Sequence, residues 1–326
     1  MHRRNSVKFA ITTLLSLLVF SANAQDANSY PSKPIRIIVN FPPGGTVDVM
    51  TRGVAQKLTE KWGQAVVVDN RPGAGGNIGA QSVASAEPDG YTLLATPPGP
   101  MTINQYLYKD MRFDPAKLSS VIMMASVPNA IAARIDFPAN NVKELIAYTK
   151  ANPGKVSFGS QGNGSTSHLT GQMFATMVGS DMMHIPFKGE GPALTEILGG
   201  RVDLFLGNIS AVLKLYQNKQ IKLLGVASPK RSPMANEIPA SQEFGMPDFV
   251  ASAWFAIAAP PGTPAPIVNK LNAAILEALK LPDTQQKMAA LGGEVVGGSP
   301  ADMTTMVIAE RARWKKVIET ANVKLD

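Results

Sequence analysis

The sequence predicts an α/β fold in two lobes with a central cleft, and three observations carry that expectation. Strand-like and helix-like stretches alternate from Ile35 onward, at the spacing of βαβ units on a parallel sheet. The units fall into two sets, separated by extended apolar stretches at residues 121–134 and 250–260, so the chain is expected to cross between lobes twice. Three Gly-rich loops, at residues 42–46, 72–77 and 160–165, each follow a strand and precede a helix, which is where open α/β sheets hold ligands. The expected organisation is a signal peptide over residues 1–24, a discontinuous lobe 1 over 25–125 and 226–326, and lobe 2 over 126–225.

The chain opens with Arg3, Arg4 and Lys8, an apolar run from Phe9 to Phe20, and Ala22-Asn23-Ala24, the pattern of a secretory signal cleaved after Ala24. The run is too short and wrongly flanked for a membrane span. No Cys follows it to take a lipid anchor. Residues 25–33 read as a loose mature start. The β-branched run at 35–39 is a strand; Pro42 and Pro43 stop it, and Gly44 and Gly45 let the backbone turn. Thr46 is placed to cap a helix with Asp48 in its first turn, where the dipole favours a negative charge. Residues 65–70 form a second strand, 79–86 a short helix and 91–96 a third strand, with Pro88-Asp89-Gly90 as a turn between them. Residues 101–114 are expected to start helical and become irregular. The extended stretch 121–134 is interrupted at Pro128.

In the second set, helices are expected at 142–151, about 165–178, 192–198 and 210–217, and strands at 156–160, 182–187, 201–208 and 221–228. The strand at 250–260 is placed to run back into the first lobe. The tail is helical at 264–279, 281–291 and 301–321. The last of these has Met303, Met306, Val307, Trp314, Val317 and Ile318 at helical spacing, with Glu310 interrupting the stripe. The methionines read as core filler.

At 326 residues, 45% hydrophobic and 17% charged, the chain is long enough for one large or two medium domains, and its composition excludes disorder, collagen and coiled coil. Of the net +7, three charges belong to the signal, leaving a dispersed +4 that suits an anionic small molecule but not nucleic acid. The absence of Cys rules out disulfides, thiol chemistry and thiolate metal sites. Only His168 and His184 follow the signal, and neither a zinc-protease nor a calcium-loop motif occurs, so no metal is expected. No ATP-type phosphate loop is present. Residues 71–79 do not fit the dinucleotide pattern, because Ile78 stands where its last glycine belongs. No cofactor is expected.

Helix N-termini facing each other from opposite lobes offer N–H groups to a carboxylate. Arg71, just before the second loop, is the only arginine at the three loops, so the bidentate mark of a second carboxylate is missing. Two residues keep alternatives open. Asp48 either favours its own helix N-terminus or meets a cationic group such as a ligand amine. Asp203 is either a turn acid or part of a site. Ser160 or Ser165 with His168 would suit a secreted hydrolase, although residues 158–162 have Phe158 where a nucleophile elbow has glycine. The plainer reading makes Ser165 the N-cap of its helix and His168 a polar residue of the lid.

Four strings occur in order: PIRIIVNFPPGGTVDVMTR, VVVDNRPGAGGNIGAQSVASAEPDGYTLL, VSFGSQGNGSTSHL and HIPFKGEGPALTEILGGRVDLFLGN. Together they closely resemble the Bug-type periplasmic receptors of tripartite tricarboxylate transporters, from about Tyr30 to the C-terminus. The resemblance implies a type II periplasmic binding-protein fold that closes on a small organic acid and delivers it to membrane permease subunits. It implies a periplasmic monomer that is not an enzyme and does not stay inserted in the membrane. Family ligands include di- and tricarboxylates, acidic amino acids and aromatic acids. Carried over by position, Pro43, Gly44, Gly45, Thr46 and Asp48 match the first-lobe side of the site. Gly76, Asn77 and Thr96 match neighbouring elements. Ser160, Gly162, Asn163, Gly164, Ser165 and His168 match the second-lobe side, and Lys188, Gly189 and Asp203 the remaining motif. Many members have Ala where this chain has Pro43, which leaves ligand choice open. A ligand sensor feeding a signalling system is the other binding role such a chain would fill.

Overall fold

The computed structural model of the chain describes residues 29–325; the expected signal and its cleavage after Ala24 lie outside them. β1 (Ile35–Val39), α1 (Thr46–Trp62), β2 (Val66–Asn70), α2 (Asn77–Ala84) and β3 (Thr92–Thr96) form the first set of units. β1 lies between β2 and β3, parallel to both. Its Ile35, Ile37, Ile38 and Val39 are fully buried, as a strand covered on both faces requires.

β4 (Ser119–Arg134) joins the two parts of the sheet. The second set follows as α3 (Val142–Ala151), β5 (Ser157–Ser160), α4 (Thr166–Val178), β6 (Met183–Pro186), α5 (Glu190–Leu198), β7 (Leu204–Asn208), α6 (Ile209–Gln217) and β8 (Ile221–Val226). β9 (Ser252–Ala259), α7 (Ala265–Lys280), α8 (Pro282–Ala290), β10 (Glu294–Gly297) and α9 (Pro300–Thr320) complete the described chain. The strand order is β2-β1-β3-β9-β4-β7-β5-β6, with β8 and β10 also paired to β4.

β4 is continuous through Pro128, where a break was expected. Up to Pro128 it pairs with β9, and from Asn129 it pairs with β7. Pro128 has no N–H to donate, and it stands where the ladder changes partners, a position at which that loss is tolerated. The chain returns through residues 227–251. There Asn129 N–H donates to Ala251 O, Ala251 N–H to Ala227 O, and Ala227 N–H to Asn129 O, each at 2.8–2.9 Å. The two passages are thereby tied side by side. β9 then runs between β3 and β4, in the first part of the sheet.

One apolar core runs under both parts and includes Ile37, Val127, Phe205 and Ile257. A second, around Phe158, Leu169 and Phe174, also takes Trp314 and Ile318 from the end of α9. Earlier on α9, Met303 and Val307 pack with Trp254 in a third cluster. Glu310, which interrupts the apolar stripe, accepts from Trp314 Nε1 at 2.9 Å and Trp254 Nε1 at 3.3 Å. The carboxylate thus satisfies two buried indoles that apolar neighbours would leave unpaired.

Other departures have local causes. α2 starts at Asn77, two residues before the expected start, because the left-handed turn ends at Gly76. Residues 99–106 form a wide π turn followed by a 3-10 turn, in place of the helix expected from 101. α5 starts at Glu190 and not Pro192, since Gly189 at φ 109° supplies its entry. β10 is a four-residue strand between glycine pairs, too short for its alternation to register. Among the described residues no helix is long and apolar enough to cross a membrane.

Candidate functional site

Asp48 builds the loop after β1. Gly44, at φ 83°, donates its N–H to Asp48 Oδ2 at 2.9 Å. Arg52 binds the same carboxylate, with Nε at 3.1 Å and an ion pair at 2.9 Å. Asn70 Nδ2, at the end of β2, donates to Asp48 Oδ1 at 2.9 Å and to Phe41 O at 3.0 Å. Burial pushes the Asp48 carboxyl up, but the bonds from Arg52, Gly44 and Asn70 outweigh it and hold the group below the usual range. Only 3% exposed, Asp48 faces its own loop and borders neither cavity described below. It staples the loop.

The loop after β2 fits because it has no side chains at its apex. A Cβ on Gly75, at φ 61°, would lie 2.5 Å from Tyr108 Oη and 2.8 Å from Asn163 O. Tyr108 Oη donates to Asn163 O at 3.0 Å, so this loop meets the loop after β5 directly. Asn40 Nδ2 donates to Thr96 Oγ1 at 2.8 Å and Gly76 O at 3.2 Å. Asn104 Nδ2 donates to Asn77 Oδ1 at 2.7 Å. Thr96 and Asn77 therefore stand behind the loops as supports.

The loop after β5 is held from within. Ser165 caps α4 by accepting from His168 N–H at 3.3 Å, and donates to Gly162 O at 2.6 Å. Ser160 Oγ is 2.7 Å from His184 Nε2 and accepts from Gly162 N–H at 3.1 Å. His168 and His184 stack at 3.9 Å between ring centroids. Burial, with the charge of His184 adding to it, pushes His168 down to about 3, and burial pushes His184 down to about 4, so both rings are neutral near pH 7. Gly164 N–H donates to His168 Nδ1 at 3.4 Å.

The loop after β6 closes the arrangement. Gly189 N–H donates to Gln161 O at 3.1 Å, and a Cβ on Gly189 would stand 3.1 Å from Pro42. Glu190 then reaches across to the first part of the fold. Its Oε2 accepts from Thr46 N–H at 3.2 Å, and its Oε1 from Thr46 Oγ1 at 3.1 Å, Gln161 Nε2 at 2.9 Å and Asn208 Nδ2 at 2.6 Å. Burial pushes the Glu190 carboxyl up, and the bonds from Asn208 and Thr46 offset that only in part.

Two cavities adjoin, with Phe41, Pro42, Gln161 and Gly189 bordering both. One, of about 190 Å³, is lined by Gly45, Thr46, Glu190, Asn208 and Phe255 among others. The other, of about 480 Å³, is lined by Asn40, Gly75, Gly76, Asn163 and Lys188 among others. A further cavity of about 440 Å³, beside Ser126, Lys230 and Glu294, touches none of the Gly-rich loops.

Of the expected site residues, Pro43, Gly44, Gly45, Thr46, Gly76, Gly162, Asn163 and Gly189 line these two cavities. Ser160, Gly164, Ser165 and His168 shape the β5 loop without lining either. Asp203 lies elsewhere. It accepts from Arg134 Nε and Ser157 N–H, each at 2.9 Å, and ties the start of β5 to the end of β4. That is the opposite end of β5 from its loop, so the turn-acid alternative describes it. Gln161, Glu190 and Asn208 were not anticipated. A carboxylate in the first turn of a helix was the available signal for Glu190, masked because Gly191-Pro192 reads as loop.

The TctC family model, described as "Tripartite tricarboxylate transporter family receptor", matches residues 50–323. The protein BugT of Bordetella pertussis is 36% identical over 323 residues, covering 97% of this chain and 99% of its own. The solved structure "R. palustris Rpa4515 with adipate" is similar at TM-score 0.88 and 38% identity, covering 91% of this chain and all of its own. MatC of Rhodopseudomonas palustris, solved "with bound malate", is similar at TM-score 0.84 and 30% identity, covering 89% of this chain and all of its own.

Proposed function

This chain belongs to the tripartite tricarboxylate transporter receptor family, and on that premise we propose that it captures a small organic carboxylate in the cleft and delivers it to membrane permease subunits. The observation that supports this best is the meeting of four loops, from both parts of the sheet, around two adjoining cavities. We assign lobe 1 to residues 25–125 and 226–326 and lobe 2 to 126–225; the change of partners at Pro128 and the return through 227–251 support these bounds. The family's receptors are periplasmic. Export through residues 1–24, cleavage after Ala24 and a monomeric state complete the proposal.

Pro43 to Thr46 and Gly76 form the first-lobe wall, with Asn77 and Thr96 behind it. Gly162, Asn163 and Gly189 form the second-lobe wall, held by Ser160, Gly164, Ser165 and His168. Adipate and malate, named with two similar structures, are both dicarboxylates. Ligand touches both walls only when the lobes are together, so binding shifts the population to the closed state. The role is binding and not turnover. The contact of Ser160 with His184 favours a hydrolase, but Ser160 is wholly buried and lines neither cavity, and His184 is a weak base at neutral pH.

The test is a thermal-shift screen of ligand-stripped protein against citrate, succinate, adipate, malate, aspartate, glutamate, nicotinate and benzoate, with neutral sugars as controls. A ligand at about 100 times its Kd adds roughly 2.7 kcal/mol. A shift with an acid and none with sugars is expected; a response to sugars alone would overturn the carboxylate reading.

A further inference from the structure

The two adjoining cavities differ in charge. The larger is bordered by one basic side chain, Lys188, and no acidic one. Among the described residues Lys188 has no ion-pair partner. The smaller is bordered by one acidic side chain, Glu190, and no basic one. All four donors to Glu190 are neutral: a backbone N–H, a hydroxyl and two amides. Among the described residues this half-buried carboxylate has no cation beside it to balance its charge.

A second observation points the same way. Asn208, 2% exposed, borders the same cavity. Its Nδ2 faces the Glu190 carboxylate, so its amide is oriented by chemistry, and its Oδ1 has no hydrogen-bond partner. The Oδ1 atoms of Asn40, Asn104 and Asn129 are left in the same way, and of these four residues Asn208 is the one that borders the Glu190 cavity. Glu190 and Asn208 thus stand side by side at this end of the cleft. Glu190 also takes the N–H of Thr46 at the start of α1, a seat that a ligand carboxylate would otherwise contest.

We infer that the Glu190–Asn208 end of the cleft is an ammonium subsite, and that this receptor takes a zwitterion whose carboxylate lies toward Lys188 and whose ammonium lies toward Glu190. The ligand class is then an amino acid and not a plain dicarboxylate. The inference rests on the carboxylate-receptor reading and narrows it. Gly189 separates the two charged residues in sequence and, packed on Pro42, separates the two cavities in space. One short peptide segment therefore sets both poles.

The test is titration calorimetry of the ligand-stripped protein with matched pairs: 6-aminohexanoate against adipate, 5-aminopentanoate against glutarate, and 4-aminobutanoate against succinate. In each tight-binding pair the amino member is expected to bind roughly tenfold or more tightly, because a dicarboxylate brings a second anion to Glu190. Glu190→Gln should erase or reverse that preference. Lys188→Gln should weaken both members alike, since they share the carboxylate. Unfolding midpoints of the free variants separate a folding defect from a lost contact, and the wild-type preference tests the inference even where a variant fails to fold. Tighter binding of the dicarboxylate in every pair would overturn the ammonium subsite while leaving the receptor reading intact. Equal loss of both members in Glu190→Gln would also overturn it. Binding of neither member of any pair, nor of any other acid, would overturn the receptor reading and the inference with it.

Discussion

Two carboxylates stand in the first turns of helices at the cleft, and their surroundings differ in kind. Asp48, on α1, is closed in by its own loop: Gly44 N–H, Asn70 and the guanidinium of Arg52 use its oxygens. Glu190, on α5, is met by Thr46 and Asn208, with no cation. Helix dipoles favour a negative charge at both places, so the difference comes from the partners. A carboxylate paired within its loop fixes that loop. One that reaches across a cleft without a cation joins the two sides. The same residue class in the first turn of two helices therefore fixes a loop in one case and, on the inference above, meets a ligand in the other.

Acid separates the loops most strongly. His168 and His184 have folded pKa values well below 6.5, at about 3 and about 4. A base depressed in this way adds stability that is present above its unfolded pKa and lost as pH falls toward the folded value. Each tenfold weakening of proton binding on folding is worth roughly 1.4 kcal/mol, so unfolding free energy should fall by several kcal/mol in total between about pH 6.5 and pH 4. Urea denaturation across pH checks this. A flat profile over that window would mean that the rings are solvated and do not hold the β5 loop.

Asp48→Ala should cost about 3 kcal/mol of stability, because it strands Arg52, Asn70 and the Gly44 N–H, and should leave ligand preference unchanged. Glu190→Ala should change ligand preference and also cost about 1–3 kcal/mol of stability, because it strands the Thr46, Gln161 and Asn208 donors. An unchanged ligand preference in Glu190→Ala, or a changed one in Asp48→Ala, would erase the contrast. pH sharpens it further. Asp48 is held low, so its contribution is present at neutral pH and lost in acid. Glu190 is held high, so its contribution is present in acid and lost as pH rises past the ordinary glutamate value. Asp48→Asn and Glu190→Gln should therefore tilt the stability profile in opposite directions. The smallest effect belongs to Tyr108→Phe, which removes the bond to Asn163 O. The closed state should lose about 1 kcal/mol, read as about fivefold weaker ligand binding with an unchanged melting point of the free protein.

How much of this was legible follows from the range of each interaction. The strand at Ile35–Val39, the Pro-Pro-Gly-Gly stop and the N-cap Ser165 are local, and the sequence alone shows them. The two-part sheet follows from alternation and from two apolar crossing segments. The partners of Asp48 are not local, since Asn70 lies at the end of the next strand. Glu190 was hidden twice over: Gly191-Pro192 resembles loop, and Thr46 is brought to it by tertiary structure alone. Asp203 was misplaced because a turn acid and a site acid look alike until strand direction is known. Glu310, apparently a flaw in an apolar stripe, needed both indoles to explain it.

The central claim is that one ligand is gripped from both lobes, and calorimetry of two loop variants tests it most directly. Gly75→Val places a side chain against Tyr108 from one side, and Gly162→Val, at φ 124°, disturbs the other. Each should fold, as read from the melting point of the free protein. Each alone should also abolish the single-site binding of whichever acid the wild type takes. Full binding by either variant would contradict the account, because it would show that one lobe suffices.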